Sequence, residues 1–559
     1  MTNQLPAPLL DVANLSVSYH GRYESTRVVH DVAFSVQPGE VVAVVGESGS
    51  GKTTTAQAII GLLADNGRTD SGSIALDGTD IAGWSSRRLE AIRGTRVGLI
   101  PQDPNNSLNP VKRIGESLAE VLRIHKWGDR KQVQARVIEL LERVGIPEPH
   151  ERARQYPHQL SGGMKQRVLI ASAVALQPAL IIADEPTSAL DVTVQRRILD
   201  LLDDLRRESG TALLFVTHDL AVAAERANRI IVMKDGRIQE QNVAAEILNR
   251  PQSEYTRTLI DDVPSFAVGS PARDVGPVTA AGPVAAADTA AKAPPAAVTV
   301  TNLVQEFSRG RKDQPFRAVD NVSFSVASGT THAIVGESGS GKTTLARAVL
   351  GFQRATSGSI QVGGHDVLSL RGESLRSFRR VAQLVYQNPF SSLDPRQSID
   401  RIIAEPLVNF RIGSKRERAA KVAEFIDRVA LPSGIAARHP RELSGGQRQR
   451  VAIARALIVE PEVVVLDEAV SALDVTVQAQ ILQLLEMLQV EFGLTYLFIS
   501  HDLAVVRQIS DTVSVMRAGR AEEHGATAEI FDRPRSEYTK ELLAAIPGRG
   551  ITLNAAAIS

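Results

Sequence analysis

Gly46-Glu47-Ser48-Gly49-Ser50-Gly51-Lys52-Thr53 is the stretch of this chain with the clearest chemistry, since its spacing fits G-x-x-x-x-G-K-[ST]. Loops of that pattern wrap the phosphates of a nucleoside triphosphate. Glycines let backbone N–H groups crowd around an anion, and a helix N-terminus adds partial positive charge. Gly46, Ser48, Gly49 and Gly51 would form the cradle, Lys52 would reach the β- and γ-phosphates, and Thr53 would hold Mg²⁺, with Thr54 beside it. The same eight residues recur as Gly336-Glu337-Ser338-Gly339-Ser340-Gly341-Lys342-Thr343, followed by Thr344, 290 positions later. That gives a second set of candidates: Gly336, Ser338, Gly339, Gly341, Lys342, Thr343 and Thr344.

Further chemistry follows each loop. Leu180-Ile181-Ile182-Ala183-Asp184-Glu185 is an apolar run ending in two acids, and an unpaired buried charge is costly enough that such a pair suggests a task. Asp184 would coordinate Mg²⁺ through water, and Glu185 would polarise an attacking water. His218, in Thr217-His218-Asp219 after another apolar run, is either a structural hydrogen-bonder or a γ-phosphate sensor. Ser161-Gly162-Gly163 is either the capped start of a helix over 165–176 or a second phosphate grip facing outward. Tyr19 is a half-buried aromatic or a platform for a nucleotide base. Gln102 alone carries little information.

The elements that would position these groups are legible in outline. Residues 41–45 read as a buried strand running into the phosphate loop, and 54–63 as the helix leaving it. Residues 15–19 alternate like an edge strand, with 32–36 as its neighbour. Residues 72–78 read as a strand and turn, and 97–102 as a strand ending at Gln102. Over 114–124 and 131–144 the apolar spacing turns helical, with Leu118, Val121 and Leu122 and then Val133, Val137, Leu140 and Leu141 on single faces. Residues 192–207 predict a long helix and 212–216 a strand leading to His218.

A chain of 559 residues is too long for one core. Lys plus Arg and Asp plus Glu both number 63, so net charge suggests neither a nucleic-acid partner nor an anionic membrane surface. Cysteine is absent, which removes disulfides, thiolate zinc sites and iron–sulfur clusters. Residues 1–10 lack the basic-then-apolar pattern of a signal peptide, and no run approaches the roughly 20 apolar residues needed to cross a bilayer. A soluble, cytoplasmic α/β protein is expected.

The repeat extends beyond the loops. Gln102 maps to Gln387 at an offset of 285, and Ser161 to Ser444, Asp184 to Asp467 and His218 to His501 at 283. The offset drifts, then locks, so the second part of each copy keeps one length and the chain is an internal duplication. Residues 1–263 and 298–548 form the two predicted domains and 549–559 a tail. Residues 264–297, rich in Pro, Ala, Gly and Val, form a flexible or partly extended tether.

Taken together, both halves resemble the nucleotide-binding domains of ABC-type ATPases. The resemblance rests on the phosphate loop, the glutamine, Leu-Ser-Gly-Gly, the Asp-Glu pair, Ser-Ala-Leu-Asp and the histidine. It implies two tandem P-loop domains, each with a RecA-like core, an antiparallel β subdomain and a helical insert. It implies that ATP with Mg²⁺ is sandwiched between one phosphate loop and the opposite signature. Ser161, Gly162 and Gly163 would then serve the ATP at Lys342, and Ser444, Gly445, Gly446 and Gln447 the ATP at Lys52. Glu185 and Glu468, with His218 and His501, become the catalytic residues. Thr53, Gln102 and Asp184, and Thr343, Gln387 and Asp467, are the implied metal site; Asp191 and Asp474, and Tyr19 and Phe307, are further nucleotide contacts.

Pro101-Gln102-Asp103-Pro104, and Gln387-Asn388-Pro389-Phe390-Ser391-Ser392-Leu393-Asp394-Pro395, are similar to the glutamine loops of bacterial dipeptide and oligopeptide importers. The chain resembles both ATPase subunits of such an importer fused. The implied partners are two integral-membrane permease subunits, met at the cytoplasmic face of the membrane, and an extracytoplasmic binding protein. Nucleic acid is not expected, and one chain would serve one transporter. Related systems handle nickel, glutathione or haem, and a soluble ABC ATPase without a permease is the rival class. Three departures stand out: no cysteines for the iron–sulfur cluster some relatives carry, Ala469-Val470 in place of Pro186-Thr187, and Met164 in place of the signature glutamine. Two hydrolysis-competent sites are nevertheless expected.

Overall fold

The computed structural model describes residues 7–21, 25–188, 190–264, 295–308, 315–388, 392–471, 473–549 and 551. Most of the expected tether, Pro389-Phe390-Ser391 of the second glutamine loop, Ala189 and Ala472, and most of the expected tail lie outside the described residues. The chain divides into two compact units.

In the first unit the strand Val41–Val45 is buried throughout and pairs in parallel with Ala212–Val216 on one side and Arg229–Lys234 on the other. Leu180–Asp184 and then Val97–Ile100 continue the parallel order, and Arg237–Val243 closes the opposite edge antiparallel. These central strands are nearly continuous Val, Ile, Leu and Ala, as a parallel sheet covered on both faces requires. The order decides the chemistry, because the C-terminal ends of Val41–Val45, Ala212–Val216, Leu180–Asp184 and Val97–Ile100 come side by side. They carry the phosphate loop, His218, Glu185 and Gln102 respectively.

A second, antiparallel sheet covers this core. Its strand Leu10–His20 pairs with Ser25–Val36 and with Gly67–Leu76, and Thr79–Asp80 pairs with the latter. Residues 15–19, expected at an edge, are therefore central. Val12, Leu15 and Val17 are buried beneath neighbours on both sides, and alternation alone cannot distinguish an edge from a centre with one solvated face. The helical insert comprises Ile114–Ile124, Arg130–Arg143 and Gly162–Val174, with Leu118, Leu122, Val133, Val137, Leu140 and Leu141 buried as the spacing predicts. The last helix begins at Gly162, three residues earlier than expected. Ser161 caps it, its Oγ accepting from the Met164 N–H at 3.3 Å, and the poor helix formers Gly162 and Gly163 make up its first turn.

The second unit repeats this plan. Thr331–Val335 lies between Thr495–Ile499 and Thr512–Arg517, with Val463–Asp467 and Ala382–Val385 beyond and Arg520–Ala526 at the antiparallel edge. Its antiparallel sheet is built on Ala296–Phe307, Phe316–Ala327 and Ser357–Val362. Ala296 and Ala297 thus belong to a strand rather than to the tether. Among the described residues no helix is long and apolar enough to cross a membrane.

Candidate active site

In the first unit the helix Lys52–Ile60 starts directly from the loop. Its N-cap, Gly51, has φ 94° and no side chain caps the helix, so its first turn is open to an anion. Gly46 adopts φ 147°, and a Cβ there would lie 2.1 Å from the Met233 carbonyl oxygen. Only glycine lets the loop pass the neighbouring strand. The Lys52 ammonium donates to the carbonyls of Gly46 and Glu47, both at 2.7 Å, which fixes it over the loop.

Thr53 Oγ1 donates to the Asp184 carboxylate at 3.0 Å. Burial raises the Asp184 pKa to about 6, the nearby Glu185 charge adding to the rise while Thr53 and Lys52 oppose it. A buried carboxylate short of countercharge beside a hydroxyl suits Mg²⁺, which takes few protein oxygens and completes its shell with water and substrate phosphate. Among the described residues no group of three or more His, Cys, Asp or Glu is placed to hold a metal ion by itself.

Glu185 stands next to this pair in a left-handed conformation, φ 45°, and Glu468 matches it at 49°. Bulky residues seldom adopt that region, and it recurs where side chains are aimed for function. Gln102 Nε2 donates to Glu185 Oε2 at 2.9 Å, and His218 Nδ1 lies 3.2 Å from the same oxygen. Burial pushes the Glu185 carboxyl up, but the hydrogen bond and charge of His218, with Lys52 and Gln102, outweigh it and hold the carboxyl below its ordinary range. Burial opposes charging His218 as well, and Glu185 more than offsets it, so the imidazole is raised. Each group thus favours the charged form of the other across 3.2 Å.

The second unit reproduces these contacts. Lys342 donates to Gly336 and Glu337 carbonyls at 2.7 and 2.9 Å. Thr343 meets Asp467 at 3.3 Å, Gln387 meets Glu468 at 2.6 Å and His501 lies 3.4 Å from Glu468. Burial and Glu468 raise Asp467. Glu468 is held low and His501 raised for the same causes as in the first unit.

Gln102 and Gln387 are expected as metal ligands through their side-chain oxygens; the contacts seen here use the amide nitrogens, which donate to Glu185 at 2.9 Å and Glu468 at 2.6 Å. An amide N–H donor is drawn to a buried carboxylate acceptor, a partnership that sequence spacing does not reveal. The Tyr19 hydroxyl lies 3.4 Å from Thr54 Oγ1, next to the loop helix, and Phe307 ends the strand Ala296–Phe307, 40% exposed. Asp191 accepts from the Thr193 hydroxyl at 2.8 Å, and Asp474 caps the helix Val475–Phe492 through the Val477 N–H.

The signature serines are exposed. Ser444 has a reciprocal cap, its Oγ accepting from the Gln447 N–H while its own N–H donates to Gln447 Oε1 at 3.1 Å. Met164 lacks the amide for the second bond. Gly163 and Gly446 pack closely, a Cβ at either falling 2.7 Å from Val194 or 2.5 Å from Val477. Tyr255 and Tyr538 reach the phosphate loops; they lie in two similar Pro-x-x-x-Tyr-Thr segments, 251–256 and 534–539, whose sequence leaves open a regulatory role or docking on their own halves.

Known proteins match this arrangement along the chain. An ABC transporter family model fits residues 29–188 and 319–471. The glutathione import ATP-binding protein GsiA of Pectobacterium atrosepticum is 42% identical over 96% of this chain and 89% of that protein. The oligopeptide transport ATP-binding protein OppD of Mycobacterium tuberculosis is 40% identical over 97% of this chain and 98% of its own length. The peptidoglycan transport ATP-binding protein YejF of Agrobacterium fabrum is 43% identical, with 96% of both chains covered. With two copies of the family's domain and end-to-end likeness to these proteins, the chain belongs to the ABC transporter family as an ATPase component with two ATP-binding domains.

Proposed function

We propose that this chain powers the import of dipeptides or oligopeptides, hydrolysing ATP at two composite sites and driving two permease subunits at the cytoplasmic face of a membrane. The observation that carries the assignment is end-to-end identity of about 40% with relatives named for oligopeptide and glutathione transport. Glutathione is itself a peptide-like cargo and is the nearest alternative.

Hydrolysis would run on groups that are already poised. Lys52 and Lys342 would contact the β- and γ-phosphates, and the loop N–H groups would cradle them. When bound, Mg²⁺ supplies charge neutralisation on those phosphate oxygens, and Thr53 with Asp184, or Thr343 with Asp467, would hold it. Glu185, kept ionised by His218, would accept a proton from the attacking water while His218 faces the γ-phosphate; Glu468 and His501 would do the same. Each active site would be completed by the other half, Ser444-Gly445-Gly446 closing on the ATP at Lys52 and Ser161-Gly162-Gly163 on the ATP at Lys342. The exposure of both signature serines supports this pairing.

The second unit also has a cleft of about 880 Å³ between core and helical insert, lined by Phe352, Arg376, Arg379, Tyr386, Glu405 and Phe410 among others. Its position beside Gln387 supports docking of a cytoplasmic permease helix, with an external binding protein delivering cargo. The test is reconstitution with the permease subunits and binding protein in liposomes. ATPase stimulated several-fold by di- or oligopeptides is expected; stimulation by glutathione alone would select the alternative cargo, and no stimulation by any peptide would overturn the assignment.

A further inference from the structure

Each unit ends in a short helix, Glu254–Asp261 in the first and Glu537–Ala544 in the second. Both begin under the same clamp. Glu240 on the edge strand accepts from the N–H groups of Gln252 and Ser253 at 2.9 and 3.0 Å, one on each carboxylate oxygen. Glu523 does the same for Arg535 and Ser536 at 2.8 and 3.1 Å. Thr256 and Thr539, one residue past the tyrosines, are buried, so the helix cannot swing away without exposing packed surface.

The clamp delivers a tyrosine to the phosphate loop. The Tyr255 hydroxyl accepts from the Glu47 N–H at 3.2 Å, and the Tyr538 hydroxyl accepts from the Glu337 N–H at 3.2 Å. A cation sits over each ring, Lys234 at 4.5 Å from the centroid in one unit and Arg517 at 4.7 Å in the other. The glutamate so held also offers its carbonyl to the loop lysine, Glu47 to Lys52 and Glu337 to Lys342. Tyrosine, loop peptide and lysine thus form one chain of contacts, made twice in the same protein.

A phosphate loop works by aiming its N–H groups into the cradle. An N–H that faces away needs another partner, because an unmet backbone donor costs about as much as a lost hydrogen bond. We propose that Tyr255 and Tyr538 are positioning residues of the ATPase reaction. Each fixes its phosphate loop through the Glu47 or Glu337 N–H, which makes residues 251–261 and 534–544 part of the nucleotide site rather than appendages. The proposal rests on the assignment of the two loops as ATP sites.

Tyr255→Phe and Tyr538→Phe remove the hydroxyl and keep the ring under its cation. In the full chain, each is expected to weaken binding of a fluorescent ATP analogue at its own site about fivefold, the scale of one hydrogen bond. KM for ATP should rise with kcat within about twofold, and the nucleotide-free melting temperature should stay within about 2 °C. Hydrogen exchange should quicken in the peptide spanning the phosphate loop and not elsewhere. Unchanged affinity and unchanged loop exchange would overturn the proposal, and so would faster exchange spread evenly through the unit. A wild-type chain that fails to bind ATP would remove the loop assignment itself; a wild-type chain that binds ATP no better than the Phe variants would overturn the brace alone.

Discussion

The two units agree at the phosphate end and differ in the residues that precede the glutamines. Lysine to loop carbonyl is 2.7 Å in both, threonine to aspartate 3.0 and 3.3 Å, histidine to glutamate 3.2 and 3.4 Å, and tyrosine to loop N–H 3.2 Å in both. Around the glutamines the units part. Counting back from Gln102 and Gln387, Pro101, Gly94 and Ala91 stand where Tyr386, Arg379 and Arg376 line the second unit's cleft. After the loop helix, Leu62 stands where Phe352 does. The contrast teaches that phosphoryl chemistry tolerates little displacement of its groups, while a surface that only has to fit a partner is free to change with that partner.

If the chemistry is equal in the two units, the largest effect comes from the acids. Glu185→Gln combined with Glu468→Gln should lower steady-state ATPase at least a hundredfold, within the range of general-base catalysis, while ATP stays bound in a filter assay. The single variants should match each other; a tenfold gap between them would break the equivalence. Next come Gly46→Ala and Gly336→Ala, whose added Cβ would press within 2.1 Å of a strand carbonyl in each unit. A loss of about 2–4 kcal/mol in chemical denaturation is expected for either.

The divergent surfaces predict smaller and unequal effects. Phe352→Ala with Tyr386→Ala should weaken binding to the permease subunits about tenfold, as truncated aromatic anchors do. ATPase of the chain without permease should stay within about twofold, and Leu62→Ala should cost less. An equal cost for Leu62→Ala would show that the matching face of the first unit binds as the second unit's cleft does, despite its different residues. The smallest effect concerns the signature cap. Met164→Gln should restore the reciprocal bond seen at Ser444 and Gln447 and stabilise the chain by about 0.5 kcal/mol, and Gln447→Met should cost about as much. Thermal unfolding of both variants would check the sign.

Much of this was legible beforehand because it depends on local pattern. A parallel strand buried on both faces must be apolar, so Val41–Val45, Leu180–Asp184 and Ala212–Val216 stood out, and glycines followed by lysine marked the loop. The misreadings have physical causes too. Gly162 and Gly163 are weak helix formers, which hid the first turn of a helix that Ser161 caps. Residues 15–19 alternate in the same way whether a neighbour lies on one side or both. Gln102 could be paired with Glu185 only once the order of strands set them side by side.

The order of residues alone determined that this chain is duplicated, that each copy carries a phosphate loop and an acid pair, and that no thiol chemistry is available. These follow from composition and spacing, which need no neighbour. Which oxygen of Glu185 meets His218, how Asp184 is left short of countercharge, and that a tyrosine some 200 positions downstream holds the loop were decided only by tertiary structure. Such contacts join residues far apart in sequence, and only the folded sheet fixes the distances between them.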